Sequence, residues 1–156
     1  VKRVSYLFAT FFFSGYFPFM PGTVASLITV LMGYFVFFYT SRSVFVVLFL
    51  FLVLTGFFVS DIVEKDYGGK DPQFVVIDEV SGALLSMFIL SFFLNPFKNA
   101  ILSFILFRVF DIFKPFPVKL MERFKGGAGI MLDDLMAGIM AGISGILIVY
   151  LIGMFR

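Results

Sequence analysis

Five long apolar runs, at 24–40, 44–60, 78–94, 99–113 and 133–155, are parted by short charged segments. A run of roughly 20 apolar residues crosses a hydrocarbon layer, where backbone groups must pair within their own segment, so each run reads as a helix. Hydrophobic residues make up 61% of the chain, with a mean hydropathy of +1.08, far outside the balance of a soluble domain. The 156 residues therefore predict one all-α domain over 1–156, a polytopic bundle of about five transmembrane helices.

Turn chemistry sets the boundaries. In PGTVAS, residues 21–26, a turn passes into the first span and Thr23 is placed to cap it. Gly68-Gly69 and Asp71-Pro72 mark a loop within 61–74, and 75–77 form the approach to the third span, which starts at about Asp78 or Val80. Asn95-Pro96 makes the next turn, and Pro115 and Pro117 stop the fourth helix. A loop or short amphipathic helix covers 118–125, and GGAGIM reads as flexible. In the fifth span Ala137, Ala141 and Gly145, beside Gly138 and Gly142, make a small-residue face that admits another helix closely. The aromatic stretch from Val1 to Met20 lacks a small-x-small cleavage site and contains Gly15 and Pro18, so an interfacial or re-entrant helix is expected ahead of a span or a signal peptide.

With a cytoplasmic N-terminus, five spans leave Lys2, Arg3, Lys65, Lys70, Lys114, Lys119, Arg123 and Lys125 inside, and Arg42, Lys98 and Arg156 outside. This obeys the positive-inside rule. It also gathers 61–79 and 108–134 at one membrane face.

The chain has no cysteine and no histidine, which excludes thiolate and imidazole metal sites, phosphohistidine or phosphocysteine intermediates and a Ser-His-Asp triad. A net charge of +2 without a dense basic patch argues against a nucleic-acid partner. Remaining are Asp78, Glu79, Asp111, Asp133 and Asp134, with Arg108 and Lys114, at the ends of apolar helices. Acids at helix starts and bases at helix ends are also what the macrodipole favours, and Asp111 is placed to pair with Arg108. Seven ionisable groups gathered at one face exceed what capping asks for, because charge in a membrane segment is costly. At about 4 Å each like-charge pair costs on the order of 4 kcal/mol at an effective dielectric of 20, so protons or a cation must relieve the cluster. Oxygen ligands alone suit Mg²⁺, and Mg²⁺ beside Arg and Lys suits a phosphate group. Gly126-Gly127-Ala128-Gly129 offers a weaker signal, a nest of backbone donors.

PGTVAS at 21–26, KDPQFVVIDEVSG at 70–82, RVFDIFKPFP from Arg108 and GGAGIMLDDLMAG ending at Gly138 together resemble the phosphatidylglycerophosphatase A family. The resemblance implies a Mg²⁺-dependent enzyme of the bacterial inner membrane, its site facing the cytoplasm. Such an enzyme hydrolyses the terminal phosphate of phosphatidylglycerophosphate to leave phosphatidylglycerol. It further implies Asp78, Glu79, Asp111, Asp133 and Asp134 as the acidic, metal-holding set, Arg108 and Lys114 as phosphate partners, and Thr23 as an accessory polar group. Glu64 and Asp71 also fall where the family often has acids. The Phe-rich N-terminus departs from the family wording.

Direct water attack and an aspartyl-phosphate intermediate both remain open. The non-enzymatic alternative is a magnesium or proton transporter subunit, yet an ion path needs polar groups at mid-membrane or on both sides, whereas these runs have apolar middles and the acids gather on one face. CDP-alcohol phosphotransferases also cluster aspartates, but their DG-x2-AR run is missing from this sequence.

Overall fold

Pro21 and Pro96 each occupy the first turn of a helix, where the missing N–H costs nothing, and Gly68 closes another in the left-handed conformation. The computed structural model describes residues 2–154; expectations for Val1, Phe155 and Arg156 lie outside the described residues. These residues form seven α-helices and one 3-10 turn, with no strand among them. The helices are α1 (Lys2–Ala9), α2 (Pro21–Tyr39), α3 (Arg42–Tyr67), α4 (Ile77–Leu90), α5 (Pro96–Phe113), α6 (Val118–Met121) and α7 (Gly127–Met154).

Two helices, α3 and α7, are long and apolar enough to cross a membrane, and 21–37 is a shorter apolar helix. At 1.5 Å per residue the 14 residues of α4 reach only about 21 Å, short of the roughly 30 Å hydrocarbon core. The eight residues of α1 reach about 12 Å, so 4–20 is no continuous span. After α1 the chain reverses through Phe11, Phe12 and Phe13, all with positive φ.

Several boundaries differ from those expected. Helix α3 continues past Ser60 because Asp61 and Lys65 pair one turn apart and Val63 is buried. Helix α5 begins at Pro96 because Asn95 Oδ1 accepts the Lys98 N–H at 3.0 Å. Helix α4 stops at Leu90, and 91–94 form turns. The largest correction concerns GGAGIM. It is no flexible loop: Gly127 lies against the backbone of Phe57 and Asp61, and α7 begins there, six residues before Asp133.

Helix α4 forms the centre, with ten of its 14 residues buried. It packs against α2, α3, α5 and α7. Its closest neighbour is α7, because a Cβ on Gly82 would collide with the Asp134 carbonyl and one on Gly138 with that of Gly82. Ala137 and Ala141 lie fully buried on the same small-residue face. Between apolar helices in lipid, hydrophobic transfer gives little, and interhelical hydrogen bonds of about 1 kcal/mol each fix the register. Asn99 Nδ2 donates to Met87 O at 2.9 Å, and Ser86 Oγ to Ser103 O at 3.2 Å. Outside this core Phe35, Leu54, Phe58 and Leu147 are exposed, an apolar exterior around a partly polar interior.

Candidate active site

The helices that meet at the polar end of the bundle contribute residues from within about two turns of an end. Asp78 and Glu79 belong to the first turn of α4, Arg108 and Asp111 to the last two turns of α5, and Asp133 and Asp134 to the second turn of α7. Lys114 ends α5 in the left-handed conformation. All seven line one cavity of about 350 Å³, with Asp71, Gln73 and Val75 from the loop before α4 and Met20, Pro21 and Gly22 at the start of α2. The two segments distant in sequence thus meet in space.

Placement takes three of the acids out of a hydrogen-bonded capping role. Asp133 and Asp134 stand six and seven residues inside α7, beyond the first turn that the macrodipole and the orphan N–H groups reach. Asp78 makes no cap bond, and the N-cap position of α4 is Val76. The start of α7 is met by a different acid, Asp61, which accepts the Gly127 N–H.

The acids divide into two groups. Arg108 Nη1 lies 2.5 Å from Asp111 Oδ2, and Lys114 Nζ lies 2.6 Å from Asp133 Oδ2 and 3.1 Å from Glu122 Oε1. Asp78, Glu79 and Asp134 have no cationic partner among the described residues, yet each offers an oxygen within 4.8 Å of the other two. Asp78 Oδ1, Glu79 Oε2 and Asp133 Oδ1 are buried without a hydrogen-bond partner, as are Nε and Nη1 of Arg108, whose contact with Asp111 is out of line for a hydrogen bond. Native interiors leave few such groups, and here they converge on one cavity. Asp78, Glu79 and Asp134, free of any salt-bridged amine and with an unpartnered oxygen on Asp78 and on Glu79, fit a hard divalent cation, and the unpartnered Nε of Arg108 fits an anion beside it.

Burial opposes the charge on Lys114, but the Asp133 hydrogen bond and the fields of Asp133 and Asp134 outweigh it, holding the ammonium above its ordinary range. Burial also pushes the Asp71 carboxyl up, while Lys114 pulls it back. Backbone strain gathers here as well. Six described non-glycine residues have positive φ, and three of them, Met20, Asp71 and Lys114, line the cavity.

Other expected residues fall elsewhere. Thr23 lies inside the first turn of α2 and caps nothing; its Oγ1 is buried without a partner and it does not line the cavity. Glu64 lies near Gly126 at the start of α7, away from the cavity, whereas Asp71 lines it. Gly127, Ala128 and Gly129 form the first turn of α7, with Gly126 left-handed just before it, and none of the four lines the cavity. Gln73 and Gly22 escaped the sequence reading. Gln73 carries no local signal, but Gly22 stands in PGTVAS, where a Cβ would overlap the Glu79 carboxylate.

This helical, membrane-associated chain, with unpaired acids and a basic pair around one cavity, is a lipid phosphatase. It belongs to the phosphatidylglycerophosphatase A family, whose model matches residues 7–149. A Bacteroides thetaiotaomicron protein provisionally named a phosphatidylinositol-3-phosphatase is 37% identical, with 89% of this chain and 91% of that one covered. Phosphatidylglycerophosphatase A of Escherichia coli is 33% identical over 95% of this chain and 83% of its own. The Haemophilus influenzae protein of the same name is 31% identical over 90% and 89%. No solved structure matches the chain.

Proposed function

We propose that this protein hydrolyses the terminal phosphate monoester of phosphatidylglycerophosphate to phosphatidylglycerol in a bacterial cytoplasmic membrane. The observation that carries the reading is the triad of Asp78, Glu79 and Asp134, which no salt bridge neutralises, beside the unpartnered Nε of Arg108, in a chain of this family. Asp78, Glu79 and Asp134 would hold Mg²⁺, with Asp111 and Asp133 behind them, and the ion would supply Lewis acidity toward phosphoryl oxygens. Arg108, held by Asp111 through Nη1, offers Nε to the phosphate and neutralises charge on the phosphoryl group as water displaces the glycerol oxygen. Lys114 fixes Asp133 and adds positive field at the cavity wall.

In the membrane, α2, α3, α4, α5 and α7 form five passes, the shorter helices completed by their flanking turns, with α1 at the interface. The cavity opens toward the cytoplasm, where Lys65, Lys70, Lys119, Arg123 and Lys125 gather. Single cysteines at Lys70 and Lys125 label with an impermeant thiol reagent from the cytoplasmic side, and one at Arg42 from the other. Opposite labelling of Lys70 and Lys125 breaks the proposed site.

A second substrate reading, a phosphatidylinositol carrying a phosphate monoester, is favoured by the 37% identical relative. Purified protein in detergent is offered phosphatidylglycerophosphate, phosphatidylinositol-3-phosphate and phosphatidic acid, each with Mg²⁺ or with EDTA, and phosphate release is measured. Preference for the first substrate with Mg²⁺ supports the proposal, preference for the second transfers it to the inositol lipid, and release undiminished by EDTA rejects the metal chemistry.

A further inference from the structure

Helices α2 and α5 enclose an apolar groove below the cavity. Its rims are two rows at four-residue spacing, Leu27, Leu31 and Phe35 on α2 and Phe97, Ile101 and Ile105 on α5, all exposed. Val30, Ala100 and Phe104 line it more deeply. The cavity lining continues into this groove along one stripe of α5. On α5, Ala100 and Phe104 are followed at the next four-residue step by Arg108, then by Asp111. On α2 the groove begins at Leu27, five residues beyond Gly22 of the cavity.

From Leu27 to Phe35 the groove runs about 12 Å along the helix, close to the depth of one leaflet of a roughly 30 Å hydrocarbon core. We propose that this groove seats one acyl chain of the substrate lipid, entering from the site's own leaflet. The proposal rests on the lipid phosphomonoesterase reading above. It makes the α2–α5 groove the part of the protein that distinguishes a diacyl phosphate monoester from a soluble one. The occupant is tied to the cavity because α2 and α5 bring Gly22, Arg108 and Asp111 to it. A chain in the groove therefore holds its headgroup over the acids.

Two groove-filling variants, Ala100→Phe and Leu31→Trp, are compared with Val47→Phe on the exposed face of α3. Substrates are a long-chain diacyl phosphate monoester and its chain-free glycerol phosphate counterpart. The expected result is a fall of about tenfold in kcat/KM for the long-chain lipid in either groove variant, equivalent to losing roughly two buried methylenes. The chain-free substrate and Val47→Phe remain at parent rates. A long-chain lipid phosphate with a mid-chain diazirine should label peptides covering 27–35 and 97–105. A choline lipid with the same chain should not.

Equal losses on both substrates, or none, overturn the groove, and so does equal labelling by the choline lipid, which marks ordinary bilayer lipid. Oxidative cross-linking of an Ile101→Cys variant between copies, with no photolabelling, assigns the groove to a second copy and also overturns it. If the parent protein releases no phosphate from any lipid, the enzymatic reading itself has failed; release without chain discrimination removes the groove alone.

Discussion

Asp61 and Asp78 have the same side chain on neighbouring helices and opposite surroundings. Asp61 Oδ2 accepts from Lys65 Nζ at 2.6 Å, and the side chain also receives the Gly127 N–H that opens α7. Nearby, Asp66 is bound by Lys2 and by Tyr6 at 3.2 Å. Asp78 is buried, faces Glu79 and Asp134, and leaves Oδ1 without a partner. An acid satisfied by its own chain is explained by the fold, whereas a group of acids the fold leaves unsatisfied needs something beyond it.

The widest separation between the two regions should appear with Asp78→Asn and Asp134→Asn. Removing an outer-shell partner of a metal typically costs 10–100-fold, so loss of a proposed ligand is expected to lower phosphate release by more than about a hundredfold. Relief of like-charge repulsion should meanwhile keep the metal-free melting temperature at or above the parent's. Near-parent rates at limiting Mg²⁺ would move both residues to the side of Asp61.

Next in size is the effect of the ion on stability. Mg²⁺ at 100 times its Kd should stabilise the parent by about 2.7 kcal/mol and Asp134→Asn by far less, read from thermal melts with EDTA as reference. A matching shift in the mutant would separate the ion from the triad.

Lys114→Met leaves Asp133 buried without its ammonium and should cost about 2 kcal/mol in denaturant or thermal unfolding, with recovery when Asp133→Leu is added. An unchanged melting curve for the single variant would show that water already serves Asp133. The smallest change is expected from Asp61→Asn. An amide still accepts the Gly127 N–H and the lost ion pair is exposed, so stability should stay within about 0.5 kcal/mol and the rate at the parent's. A large loss of activity would place Asp61 in the chemistry and undo the contrast.

Patterning made the apolar helices and the convergence of 61–79 with 108–134 legible, since period, length and charge are local properties. The start of α7 was not legible. Glycine disfavours helix by propensity, and here tertiary shelter under Phe57 and Asp61 overrides it. Nor was the partition of the acids legible, because Lys114 reaches Asp133 through a left-handed helix end that no spacing rule announces. Gly22 offered no chemistry of its own, and its value appears only once Glu79 is seen against it. Thr23 was misread because Pro21, not Thr23, opens α2.

The meeting of Gly82 and Gly138 works as a fulcrum. Gly82 lies three residues beyond Glu79 and Gly138 four beyond Asp134, so the width of the carboxylate jaw is inherited from a backbone contact that carries no oxygen ligand. Mg²⁺ binds oxygen at about 2.0–2.1 Å and Ca²⁺ at about 2.3–2.6 Å, a difference of only a few tenths of an ångström. On the proposed chemistry, discrimination between ions by radius is therefore written into the helix crossing, and one methyl group added there would retune the jaw without altering a single ligand.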